Sequence, residues 1–110
     1  MPQEERERLN AGFGEAWEKL QADLRADGLP TKTFLRYKKV FQRVFEDFRS
    51  HKFSYIKNVN QVTLPYLVEY KNYFVNTLKH NPNGGLRAEL IILKSMMRRL
   101  RRLGYCGKDI

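Results

Sequence analysis

The stretch 37–48, YKKVFQRVFEDF, decides how this chain folds. Its apolar residues Tyr37, Val40, Phe41, Val44, Phe45 and Phe48 fall three or four positions apart, the spacing that gathers side chains on one side of an α-helix. A strand would need alternation with period two, which is absent. The opposite side carries Arg36, Lys39 and Arg43, with Lys32 and Lys38 beside them. One helix therefore has an aromatic face that needs partner helices and a basic face that needs water or a polyanion. Thr31 or Thr33 is placed to cap its start through a side-chain oxygen.

Toward the N-terminus, Leu9, Phe13, Trp17, Leu20 and Leu24 form one stripe, predicting a single amphipathic helix from about Glu4 to about Ala26. Gly12 and Gly14 each weaken it by roughly 1 kcal/mol relative to alanine, so its first turns are expected to fray. Gly28 and Pro30 stop it. Toward the C-terminus, residues 52–61 read as a loop, in which Tyr55, Ile56 and Val59 can be briefly extended and Asn58 and Asn60 favour turns. Thr63 followed by Leu64 and Pro65 is an N-cap with proline in the first turn of a third helix, packing Leu67, Val68, Tyr70, Phe74 and Leu78. Asn81, Pro82, Asn83, Gly84 and Gly85 make a turn. The last helix begins near Leu86 and ends at Gly104, with Leu86, Leu90, Leu93, Met97 and Leu100 as its buried stripe, widened by Ile91, Ile92 and Met96. Its exposed line is Arg87, Lys94, Arg98 and Arg101, flanked by Arg99 and Arg102. The expected fold class is all-α, a compact four-helix bundle with the last helix at its centre.

Composition narrows the function. A chain of 110 residues holds one domain, and 42% apolar residues suffice to close its core. The net charge of +9 is unevenly spread: residues 1–30 carry four Lys/Arg against seven Asp/Glu (−3), and residues 31–110 carry seventeen against five (+12). Such a local excess attracts a polyanion, nucleic acid first and an anionic membrane surface second. The lone Cys106 excludes an internal disulfide and a thiolate zinc site. His51 and His80 lie in or beside loops with no nucleophile or ligand set around them, and Gly84-Gly85 lacks the lysine and serine of a phosphate-cradling loop. The expectation is a chain without catalytic residues, metal or cofactor, and so not an enzyme. Its charged first residues predict neither signal peptide nor membrane span, and with the single cysteine they suggest a reducing cytoplasm. Phe41, Phe45 and Phe48 sit at core spacing rather than at base-stacking positions, and Tyr55 alone is ambiguous.

Read in order, the chain has Thr33-x-x-x-Tyr37 opening one helix and Val62-Thr63 opening the next, which carries Leu67 and Tyr70. Leu90, Leu93, Met97 and Leu100 then lead to Leu103-Gly104. This ordered set resembles the core-binding, SAM-like domain of phage integrases, the tyrosine recombinases. The resemblance covers roughly residues 31–105, and the acidic residues before it resemble an additional first helix of several members. It implies three segments: an acidic N-terminal helix packed on the bundle (1–28), a core-binding DNA-binding domain (29–105), and the start of an interdomain linker (106–110). The chain departs from the family at Gly84-Gly85, where a serine or threonine usually caps the last helix. The family's catalytic arginines, His-x-x-Arg element and nucleophilic tyrosine belong to a following domain; neither His51 nor His80 begins such an element, and the ending Gly107-Lys108-Asp109-Ile110 reads as a linker cut short.

By resemblance, such a domain closes one side of a clamp on double-stranded DNA, and in the full-length recombinase other subunits are partners, reached through residues 1–28. The isolated domain is expected to be a monomer. Carried over by position, Lys32, Thr33 and Arg36 make the first contact and Arg87 the second. The polar faces add Lys39, Arg43, Lys94, Arg98 and Arg101 as phosphate contacts. Arg36 and Arg87 are the candidates for guanine edges. Two other readings stay open. A protein-docking module would use an exposed patch of Ile91, Ile92 and Met96. An RNA or membrane-surface role would use the same basic helix.

Overall fold

The chain folds into helices α1 (Gln3–Leu9), α2 (Phe13–Ala26), α3 (Thr31–Gln42), α4 (Phe48–Lys52), α5 (Leu64–Asn76) and α6 (Gly85–Arg102). The computed structural model describes residues 2–79 and 84–107, and no strand occurs among them. The aromatic stripe behaves as its period predicts: Tyr37, Val40, Phe41, Val44, Phe45 and Phe48 are all buried. Helix α3 does not end at Gln42 but continues through one π turn, Arg43–Asp47, into α4. Around this rod the core is closed by Phe13, Ala16, Leu20 and Leu24 of α2, Tyr66, Tyr70 and Phe74 of α5, and Leu86, Leu93, Met96, Met97 and Leu100 of α6.

The architecture is an all-α bundle. Its four long helical runs are those expected, and α6 lies against α2, α3 and α5, which makes it the central element. Ring contacts carry much of the packing: Phe13 stacks on Phe45 at 5.2 Å, Phe41 meets Phe45 edge-on at 5.0 Å, and Phe48 meets the edges of Tyr66 and Tyr70 at 5.2 and 5.4 Å. The radius of gyration is 13.8 Å, close to the roughly 13 Å of a folded chain of this length. Among the described residues no helix is long and apolar enough to cross a membrane.

Several expectations need correction. The first helix is not continuous from Glu4 to Ala26, because the chain leaves the helix between α1 and α2. Helix α1 buries none of its residues, so no core contact offsets the cost of Gly12 and Gly14, and the Asn10 amide turns back onto the Arg6 carbonyl at 2.9 Å. Neither Thr31 nor Thr33 caps α3. Pro30 occupies the cap with extended backbone, its carbonyl accepting the Phe34 N–H at 3.0 Å, and both threonines lie inside the first turn. In α5, Val68 is 49% exposed and Tyr66 takes its place in the core, where its hydroxyl donates to the Val44 carbonyl at 2.6 Å. In α6, Ile91 is 62% exposed while Glu89 turns inward.

Other expectations hold. Thr63 caps α5, its hydroxyl accepting the Tyr66 N–H at 3.4 Å. Gly28 and Gly104 end α2 and α6 with φ of +70° and +95°, and the Tyr105 N–H closes the last turn on the Leu100 carbonyl at 2.9 Å. The expected loop at 52–61 is indeed irregular, with a single 3₁₀ turn at Val59–Gln61, but it is anchored rather than loose. Ile56, Val59 and Val62 are buried, and Arg49 donates to the carbonyls of Phe45 and Ile56 at 2.8 and 3.0 Å while its guanidinium lies over Phe13. Of the expected turn at 81–85, Gly84 precedes α6 and Gly85 is already its first residue, while residues 81–83 and the adjacent His80 lie outside the described residues, as do residues 108–110 of the expected linker.

Candidate functional site

The protein neutralises part of its basic charge with its own carboxylates. At the C-terminal end of α6, Arg99 reaches Asp23 at 2.8 Å and also Asp27, both at the end of α2, and Arg102 reaches Asp23 at 3.0 Å. Arg99 is only 17% exposed, so this cluster fastens α2 to α6. The Arg99 hydrogen bond and its charge hold the Asp27 carboxyl below its usual value of 3.8. Partial burial works against the Arg99 charge, but the hydrogen bonds it donates to Asp27 and Asp23 outweigh it and leave the guanidinium above its usual range. Lys52 pairs with Glu69 at 2.9 Å across α4 and α5.

A second internal pairing uses Arg43, the first residue of the π turn. Its Nη1 lies 2.7 Å from Oε1 of Glu89, a residue only 6% exposed, and its guanidinium sits 5.3 Å from the centre of the Phe74 ring. The Tyr70 hydroxyl donates to the other Glu89 oxygen. Burial, and then the Glu89 hydrogen bond, push the Tyr70 phenol well above its usual range, so it remains a donor throughout the physiological pH span. The buried carboxylate therefore has both oxygens engaged, which is what makes its burial tolerable.

The remaining candidates lie on the outer sides of α3 and α6. Lys32, Arg36 and Lys39 of α3 are exposed and Thr33 is half-buried; Arg87, Lys94, Arg98 and Arg101 of α6 are exposed. Among the described residues no carboxylate pairs with Lys32, Arg36, Lys39, Arg87, Lys94 or Arg98. The Tyr37 hydroxyl and Ser95 Oγ, 2.7 Å apart, fix α3 against α6. Between these helices runs a groove of about 290 Å³ lined by Arg36, Lys39 and Arg43 on one side and by Gly85, Ala88 and Ile92 on the other, with Phe74 and Glu89 at its floor. Arg87, Lys94 and Arg98 lie roughly 80–160° round α6 from Ala88 and Ile92, so they occupy the neighbouring outer surface of the helix rather than the groove wall.

The structure thus gathers Arg36, Lys39 and Arg43 at one groove and carries Arg87, Lys94, Arg98 and Arg101 along the adjoining helix surface. Arg43, expected as a phosphate contact on the polar face, is instead half-buried and held by Glu89. Sequence reasoning missed Glu89, although its place three after Leu86 and four before Leu93 puts it in the apolar stripe of α6. It also missed Asp23 and Asp27, four apart and facing the arginine-rich end of α6.

Elsewhere His51 is exposed with its ring tilted against Tyr73 at 5.6 Å, Cys106 is buried, and Tyr55 is 70% exposed. No group of histidine, cysteine, aspartate and glutamate among the described residues is arranged to hold a metal. Comparison with family models, with curated proteins and with solved structures finds no match.

Proposed function

We propose that this chain is a duplex-DNA-binding domain that grips the phosphate backbone with the α3–α6 face. On the strength of its resemblance to the core-binding domain of tyrosine recombinases, we further propose that it serves as one jaw of an integrase clamp during DNA integration and recombination. One observation carries the reading: the protein pairs the arginines at its α2–α6 seam with its own aspartates, whereas Lys32, Arg36, Lys39, Arg87, Lys94 and Arg98 on α3 and α6 have no carboxylate partner among the described residues. A solvated surface that only prevents aggregation has no reason to segregate its charges in this way.

In this reading Lys32, Arg36, Lys39, Lys94, Arg98 and Arg101 meet phosphates, Thr33 meets the backbone beside them, and Arg36 and Arg87 are nearest to base edges. The chemistry of strand cleavage belongs to a separate catalytic domain, and the acidic residues 1–28, whose α1 buries nothing, face neighbouring subunits. On this view the protein works in the cytoplasm, where its single cysteine stays reduced. The competing protein-docking module would need Ile91, Ile92 and Met96 exposed together; Met96 is fully buried and Ile92 partly so.

The test is a titration of labelled generic duplex DNA at two salt concentrations, with wild type and with R87A/K94A/R98A. One jaw should bind with Kd on the order of 10⁻⁴ to 10⁻⁶ M at physiological salt, with a log–log salt slope of about −0.9 for each phosphate contacted. The triple variant should bind more weakly and with a flatter slope. Failure of the wild type to bind even at low salt would overturn the reading.

A further inference from the structure

We propose that the groove between α3 and α6 seats a single phosphate group, gripped by Arg36, Lys39 and Arg43, with Glu89 and Tyr70 acting to position Arg43. This inference rests on the reading of that face as a phosphate-binding surface and deepens it, by assigning one phosphate to one place. Three cations line the groove against one carboxylate, and both oxygens of that carboxylate are already engaged, one by Arg43 and the other by Tyr70.

Arg43 differs from the solvated cations around it. Its guanidinium is held at one edge by Glu89, packs over Phe74 and is 27% exposed, so it is fixed before any ligand arrives. A guanidinium has five N–H donors, and a phosphate can use those that Glu89 does not. Because the side chain is already ordered, binding loses little rotamer freedom. The π turn begins at this residue and sets consecutive Val44 and Phe45 both fully in the core, leaving Arg43 at the groove. Such turns inside helices recur at functional positions. Small residues at Gly85 and Ala88 leave the opposite wall open to close approach.

The phosphate can belong to a DNA backbone or to a free phosphate or phosphomonoester, and one experiment separates them. Arginine side-chain Nε–Hε resonances of the 110-residue chain are followed while inorganic phosphate replaces chloride at constant ionic strength, and then while short duplex DNA is added. Arg43 and Arg36 should shift saturably with phosphate while Arg98 does not, and DNA should displace the phosphate. The exposed double variant R36Q/K39Q should bind phosphate about tenfold more weakly for each cation removed. E89Q removes a negative charge from the groove, so a purely electrostatic role predicts tighter binding. Positioning predicts weaker binding, because Arg43 is released.

If all arginine resonances move together without saturation, the pocket is overturned; if E89Q binds phosphate more tightly, the positioning role of Glu89 is overturned. If phosphate saturates the groove but DNA neither binds nor competes, the pocket stands as a site for free phosphate and the DNA reading fails. If DNA binds while Arg36 and Arg43 stay unmoved, the DNA reading stands and the pocket does not.

Discussion

Arg98 and Arg99 are neighbours in a run rich in arginine, yet one turn of 100° gives them different work. Arg98 is exposed without a carboxylate partner, whereas Arg99 joins two aspartates of α2. The substitution R99A should therefore lower stability, by about 1 kcal/mol, and leave DNA affinity nearly intact; R98A should do the reverse. Urea unfolding and a DNA titration on the same two proteins check the pair. The acid limb offers a sharper readout. Arg99 lowers the Asp27 pKa in the folded state, so the stabilisation is present above the unfolded value of 3.8 and is lost as pH falls through the lower folded value. In R99A this part of the stability-versus-pH curve should flatten. Within the interior, Y70F strips the donor from one oxygen of buried Glu89 and should destabilise by about 1–3 kcal/mol, read as a fall in the denaturant midpoint.

Among the elements, α1 and the end of α6 make opposite predictions. Helix α1 buries no residue, so a chain lacking residues 1–9 should keep its thermal midpoint to within a few degrees. Gly104 holds φ at +95°, and a Cβ there would come within 3.1 Å of the Arg8 side chain, so G104A should destabilise by roughly 1–2 kcal/mol. Both are checked by thermal unfolding followed by circular dichroism.

The same elements show what could be read from sequence. The α3 stripe, the Thr63 cap and the glycine stops were legible because each depends on neighbours three to five residues away. Whether Glu5 to Leu9 continued into α2 depended on tertiary burial that never occurs, and no local pattern reports that. Tyr66 and Glu89 were missed for another reason. Their polar atoms make them look like surface residues until partners at Val44 and Tyr70, distant in sequence, satisfy them. The basic residues themselves were legible, but not their division into paired and unpaired sets, since that depends on which carboxylates the fold brings near.

At the scale of the whole molecule, the acidic N-terminal thirty residues and the basic remainder are not simply two ends of a charge gradient. Asp23 and Asp27 neutralise the α2–α6 seam and Glu89 orders Arg43, while Lys32, Arg36, Lys39, Arg87, Lys94 and Arg98 on α3 and α6 have no carboxylate partner among the described residues. A face of that kind should bind duplex DNA without strong sequence preference when isolated, because phosphate contacts position a protein and base contacts specify. The most direct measurement is a backbone amide chemical-shift map of the chain as duplex DNA is added at low salt. The account predicts shifts concentrated on Lys32 to Arg43 and on Arg87 to Arg101, fading as salt is raised, with α1 and the outer surface of α5 around Val68 unmoved. Shifts centred on α5 or α1, or none at all, would contradict it.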